Sequence, residues 1–159
     1  MMTFKRHAGI YTLHLQQQLS ISLNEAWSFF ANPVNLEKIT PPHMKFKITS
    51  EHVETMYAGQ IITYSVSPMI GYTTNWVTEI KHVNEKHYFV DEQRCGPYKM
   101  WHHEHHFEET KQGVLMTDQV SYKIPFGFIG QLAQHLFVKK QLKKIFNHRY
   151  VYLAQKFNT

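Results

Sequence analysis

The segment Trp101-His102-His103-Glu104-His105-His106-Phe107 puts four imidazoles into seven residues. Alternate side chains of an extended strand share a face. Trp101, His103, His105 and Phe107 therefore lie together, with His102, Glu104 and His106 opposite. The flanking Trp and Phe turn the first set toward the interior. Two histidines at this spacing can chelate a metal, with Asp91 or Asp118 from a neighbouring strand as third ligand. The HExxH pattern of a zinc protease is absent. Buried imidazoles otherwise need hydrogen-bond partners. Phe89, Asp91 and Gln93 share one face of their segment, as do Met116, Asp118, Val120 and Tyr122 of theirs. The adopted reading is an inward polar cluster of Asp91, Gln93, His103, His105, Asp118 and Tyr122, holding neither metal nor other cofactor.

Such a cluster has two uses. It anchors the polar end of a ligand whose apolar body lies among Trp76, Phe89, Trp101 and Phe107, the mixture expected of a small-molecule pocket. Alternatively, an Asp–His pair serves as general base. His103 or His105 is then oriented by Asp91 or Asp118, which stabilises the charged imidazole and raises its pKa. No nucleophile accompanies the pair, so binding is the expected use. Cys95 precedes Gly96-Pro97 in a turn, and Arg94 points to the opposite face, so Cys95 reads as an incidental surface thiol. One cysteine permits neither an internal disulfide nor a four-cysteine zinc site.

The elements that position these residues follow from periodicity. Gly9–Leu19 alternates apolar and polar residues, as a half-buried strand does. Ser22 and Glu25 form a capping box for a short helix through Ala26, Trp27, Phe29 and Phe30. Asn32-Pro33 ends that helix, and Val34–Ile39 supplies one more turn before Pro41-Pro42. Strand-like segments follow at 44–52, 59–67, 71–83, 86–94, 97–109 and 113–124. The short spacers between them imply antiparallel hairpins. From Phe128 to Phe157 the pattern is helical but changes face. Ile129, Leu132, Ala133, Leu136 and Phe137 form one stripe; Val138, Leu142, Ile145, Phe146 and Leu153 form another. A straight helix cannot bury both, which predicts a bend or a second helix near Val138–Gln141.

This order, and three segments in particular, resembles the START-related ligand-binding superfamily (SRPBCC), whose fold is the helix-grip. The segments are FVDEQRCGPYKMWHHEHHFEE at 89–109, GVLMTDQVSYKIPFG at 113–127 and LFVKKQLKKIFNHR at 136–149. Together they resemble the bacterial branch labelled cell-division-inhibitor-like. The resemblance implies an α+β domain spanning 1–159: a curved seven-stranded antiparallel sheet around a long C-terminal helix, with two short helices after the first strand. It also implies a cavity between sheet and helix that holds a hydrophobic or amphipathic molecule, lipid-like or polyketide-like. Most members bind, while some, such as aromatase/cyclases, catalyse. A cyclase, dehydratase or hydrolase is the alternative here. Fold alone does not choose between them.

Composition fits one such domain. The 159 residues are 43% hydrophobic and 14% aromatic, which excludes disorder. No window approaches the ~20 apolar residues of a membrane span. The start, with Lys5, Arg6 and His7, lacks a signal-peptide apolar run, so a soluble cytoplasmic protein is expected. The formal charge of +5 is concentrated at Lys139, Lys140, Lys143 and Lys144. Without an RNA-binding or helix-turn-helix pattern this is read as a solvated face, with no nucleic-acid partner. Pro125-Phe126-Gly127-Phe128-Ile129-Gly130 lacks phosphate-loop spacing. Its apolar residues, with Leu132 and Leu136, are assigned by default to core packing, with a cavity mouth or a docking patch as the other readings. Trp27, Phe29 and Phe30 are assigned to the core. Whether two copies form a homodimer is left open by the sequence.

Overall fold

The computed structural model describes residues 2–51, 55–69 and 71–158. Its strands are β1 (Thr3–His7), β2 (Ile10–Leu19), β3 (Lys47–Ile48), β4 (Ile61–Met69), β5 (Tyr72–Asn84), β6 (Tyr88–Cys95), β7 (Met100–Thr110) and β8 (Gly113–Lys123). They make one antiparallel sheet in the order β1-β2-β8-β7-β6-β5-β4-β3. Consecutive strands from β3 to β8 pair as a meander, and β2 closes onto β8. The expected seven strands become eight. The added β1 is a polar edge strand, TFKRH, joined to β2 through Ala8 and Gly9, both at positive φ. That two-residue turn matches the twist of a hairpin. The expected strand at 44–52 shrinks to Lys47–Ile48, because a 3-10 turn at Pro42–Met44 precedes it. His52 lies outside the described residues.

Two short helices, α1 (Leu23–Phe30) and α2 (Val34–Lys38), follow β2. The capping box is formed: Glu25 N–H donates to Ser22 Oγ (3.3 Å) and Ser22 N–H to a Glu25 carboxylate oxygen (2.9 Å). The C-terminal helical stretch is interrupted at Gln134–Val138, ahead of the expected Val138–Gln141. Helix α3 (Gly127–Ala133) passes through a π-helical turn at Gln134–Val138 into α4 (Lys139–Phe157). A π turn takes in an extra residue and rotates the inward stripe. Past it, Leu142, Phe146, Arg149 and Leu153 face inward.

Helix α4 lies along the concave face of the sheet. Leu142 and Phe146 pack with Tyr11, Leu13, Leu15, Val120 and Tyr122. Leu153 joins a second cluster with Leu19, Ala26, Phe29, Phe30, Phe89, Phe107 and Met116. The buried Gln17 amide donates to the Tyr150 carbonyl (2.8 Å), fastening β2 to α4. Between the two clusters the sheet and helix stand apart.

Candidate functional site

That gap is a cavity of about 210 Å³. Its apolar wall comes from α1 (Phe29, Phe30), Leu36 and Ile39, β4 (Ile62, Tyr64, Val66), β5 (Trp76, Ile80) and α4 (Leu142, Ile145, Phe146). Its polar groups are concentrated where β6 and β7 meet α4: Asp91, His103, His105 and Arg149. Strand register explains the concentration. Asp91 pairs directly with His103 across β6–β7. His105 pairs with Asp118 across β7–β8.

Each imidazole sits between two carboxylates. His103 Nε2 lies 3.0 Å from Asp118 Oδ1, and its Nδ1 lies 3.6 Å from Asp91 Oδ2. His105 Nε2 lies 2.9 Å from Asp91 Oδ2, and its Nδ1 lies 3.1 Å from Asp118 Oδ1. The rings are 3.8 Å apart, and Phe89 stacks on the far side of His105 at 4.1 Å. Arg149 Nη2 approaches Asp118 Oδ1 (3.2 Å) and His105 Nδ1 (3.4 Å). Its guanidinium also covers the Phe30 ring.

Charge in this cluster is set by burial and by Arg149. Asp118 is 1% exposed. Burial opposes its ionisation. The Arg149 charge and the hydrogen bonds from His103 and His105 outweigh that and hold the carboxyl well below its ordinary range. Asp91 is likewise lowered: burial works against it, while the His105 hydrogen bond and the nearby histidines and Arg149 prevail. His103 moves down. Burial and the adjacent His105 disfavour its charged form more than the carboxylates favour it. His103 is therefore neutral at pH 7. Elsewhere on the wall, burial raises the Tyr64 and Tyr98 phenols, both uncharged at all ordinary pH.

A neutral His103 that donates from Nε2 to Asp118 keeps a lone pair on Nδ1. His105 Nε2 faces Asp91, and its Nδ1 lies between Asp118 Oδ1 (3.1 Å) and Arg149 Nη2 (3.4 Å). The Asp91 and Asp118 carboxylates both face the Arg149 guanidinium. Toward the cavity the cluster presents two acceptors, His103 Nδ1 and Asp91; Arg149 Nε is buried without a partner among the described residues.

One ligand atom from each of Asp91, His103 and His105 falls within 4.8 Å of the others, a spacing that suits a divalent cation. Arg149 already supplies the positive charge at this point. A second cation would stand beside a buried guanidinium, which the low-dielectric interior penalises. The arrangement fits hydrogen bonding better than metal ligation.

Of the residues singled out in the sequence, Trp76, Phe89, Asp91, Trp101, His103 and His105 lie on the cavity wall. Trp76 and Trp101 meet edge to face at 5.4 Å, and the Trp76 indole donates to Thr78 Oγ1 at 3.1 Å. The other four are placed elsewhere. Asp118 is behind the histidines, one layer back from the wall. Gln93 turns toward the β6–β7 connection, where its amide donates to the Tyr98 carbonyl (2.6 Å) and accepts from the Tyr98 N–H (3.1 Å). Phe107 packs on Trp27 (5.8 Å) and Phe30 (5.3 Å) in the core. Tyr122, its phenol pushed up to about 12 by burial, stacks on Tyr11 and accepts from Gln134 Nε2 (2.7 Å). Cys95 is exposed.

Sequence reasoning missed Arg149. Its signal was its position: it shares the inward stripe of Leu142, Phe146 and Leu153, where an isolated arginine demands a buried acid.

The cluster gives stability a definite pH dependence. The folded chain resists protonating His103, whereas the unfolded chain accepts the proton near pH 6.5. Its contribution is therefore complete above that pH and is lost as pH falls. The lowered Asp91 and Asp118 act in the same direction at lower pH. Melting temperature should fall between pH 7 and 5, and less steeply in His103→Gln. Equal slopes for the two proteins would contradict the assignment.

No family model matches the sequence, and no curated protein matches it. Solved structures do. Protein Ms6760 from Mycobacterium smegmatis matches with a TM-score of 0.68 at 18% identity, covering 98% of this chain and 99% of that one. Protein CV1439 from Chromobacterium violaceum matches with a TM-score of 0.70 at 13% identity, covering 93% and 98%. Ginseng major latex-like protein 151 from Panax ginseng matches with a TM-score of 0.68 at 12% identity, covering 94% and 99%. These identities carry fold and nothing finer, and on that footing the chain has the α+β helix-grip fold.

Proposed function

We propose that the protein binds a small amphipathic molecule reversibly in the cavity, and that the polar end of this ligand is a hydroxyl. Within helix-grip proteins we place it in the START-related ligand-binding superfamily, in the branch labelled cell-division-inhibitor-like, working in the cytoplasm. The observation that carries the reading is the Asp91–His103–His105–Arg149 group, with His103, His105 and Arg149 buried, at one side of a mostly apolar hollow. A hydroxyl can donate to His103 Nδ1 or Asp91. A carboxylate brings no proton to either acceptor and meets the Asp91 charge, so it is disfavoured. Burial of the apolar body supplies affinity at ~25 cal/mol per Å².

The alternative is a cyclase, dehydratase or hydrolase with His103 or His105 as base. All four of their ring nitrogens lie within 3.6 Å of a carboxylate oxygen or closer. The lone pair on His103 Nδ1 that can accept a ligand hydroxyl could also take its proton, so turnover, and not this geometry, separates the two readings. Calorimetric titration tests the binding reading, with 2-naphthol and 2-naphthoate as probes. Naphthol should bind and naphthoate should bind at least about tenfold more weakly. His103→Ala should weaken naphthol by roughly five- to a hundredfold, the cost of an unpaired buried group. Equal affinity for the two probes would overturn the hydroxyl assignment. Enzyme action would instead show as turnover abolished by His103→Ala with binding intact.

A further inference from the structure

The apolar stripe that begins the C-terminal helical stretch does not pack. Phe126 and Phe128 are each 80% exposed, Ile129 72%, Phe137 62%, Leu132 53% and Leu136 50%. The spacing 128–132–136 stacks side chains on successive turns, so the residues form one continuous outward ridge. The opposite face is closed, with Gly130 and Gln134 buried. Phe126 is held in the left-handed region (φ 68), a conformation costly for an aromatic residue, with its ring in solvent. Monomer surfaces rarely leave an apolar ridge of this kind open without a partner.

The charge around the ridge has one sign. All twelve acidic residues lie between Glu25 and Asp118; outside that span the chain has nine Lys and Arg and no acid. The fold gathers much of that charge beside the ridge. Past the π turn the outward face continues into Lys140, Lys143 and Lys144, all exposed. Strand β1 lies alongside: Arg6 donates to Gln131 Oε1 (3.0 Å), and Lys139 and Lys143 flank the Phe4 ring at 5.3 and 5.9 Å.

We propose that this face docks on the surface of an anionic phospholipid bilayer. Bulky apolar side chains enter the headgroup boundary while lysines beside them meet lipid phosphates, the division of labour of an interfacial amphipathic helix. A second copy of the chain is a poor occupant, because two such faces would bring lysine against lysine. None of the described helices is long and apolar enough to cross a membrane, so the contact is peripheral. The inference is independent of the cavity reading.

Co-sedimentation of the full chain with large unilamellar vesicles tests it. Vesicles of phosphatidylcholine with about a third phosphatidylglycerol should carry the protein down, and phosphatidylcholine alone should not. Raising salt to about 0.5 M should release it by screening. Lys140→Glu/Lys144→Glu should weaken partitioning at least about tenfold, taking roughly fivefold per lysine. Phe128→Ser/Leu132→Ser should do the same without changing the circular dichroism, because both side chains are solvent-facing. No binding to anionic vesicles, or binding indifferent to both variants, overturns the proposal. So does sedimentation velocity showing a dimer that Phe128→Ser dissolves, since the ridge would then be a protein interface.

Discussion

Arg149→Met is expected to destabilise the fold by about 3–5 kcal/mol, the cost of leaving a buried carboxylate without its counter-charge. Asp118 is 1% exposed, and its side-chain partners are the two histidines and Arg149. Methionine keeps the volume of the arginine stem but not the guanidinium over Phe30, so the loss combines the counter-charge with that contact. For a chain of this length each kcal/mol moves the melting temperature by about 2–4 °C, giving a fall of roughly 6–20 °C. The companion variant Asp118→Asn removes the orphaned charge. Combined with Arg149→Met, it should cost less than the two single effects added together, because the sites share one network. Denaturant titration of the four proteins measures this cycle. Additive costs, or an Arg149→Met cost below about 1 kcal/mol, would show that Asp118 does not depend on Arg149.

The second large effect is expected from filling the hollow. Val66 is 4% exposed, lines the cavity and belongs to neither packed cluster. In Val66→Trp the indole should occupy the space meant for a ligand. If it excludes about 110 Å² of apolar ligand surface, affinity falls by roughly 2.8 kcal/mol, or about a hundredfold. Overpacking a tight core costs about 1–3 kcal/mol, but here there is room to receive the ring, so stability should change less than that. Titration with 2-naphthol, alongside denaturant melts, reads both quantities. A large stability loss with unchanged affinity would mean that the space is not the binding site.

Much of this arrangement was legible in the sequence where a pattern had a single physical solution. The alternation along Trp101–Phe107 placed His103 and His105 inward, and the short spacers forced β6, β7 and β8 to be neighbours. The change of face along the stretch signalled the interruption found as the π turn at Gln134–Val138, although the first stripe stays in solvent rather than packing. Other features depend on tertiary context. Strand β1 has one apolar residue among charged ones, so nothing in TFKRH marks it as paired. Phe107 and Trp101 share a face of one strand, yet α1 covers only the Phe107 end, leaving Trp101 to the cavity. The parity of Gln93 was read, but not the turn that draws its amide onto the Tyr98 backbone. Periodicity identified the Phe128–Phe137 stripe without saying what covers it; core packing was the expectation, and solvent is the finding.

The central claim is that the hollow between sheet and α4 holds one small amphipathic molecule. Native mass spectrometry of protein purified without denaturation, then incubated with 2-naphthol, tests it most directly. The expected spectrum shows a single adduct on the wild-type chain, either a co-purified molecule or the probe, and none on Val66→Trp. A bare polypeptide mass under both conditions, or the same adduct on both proteins, contradicts it.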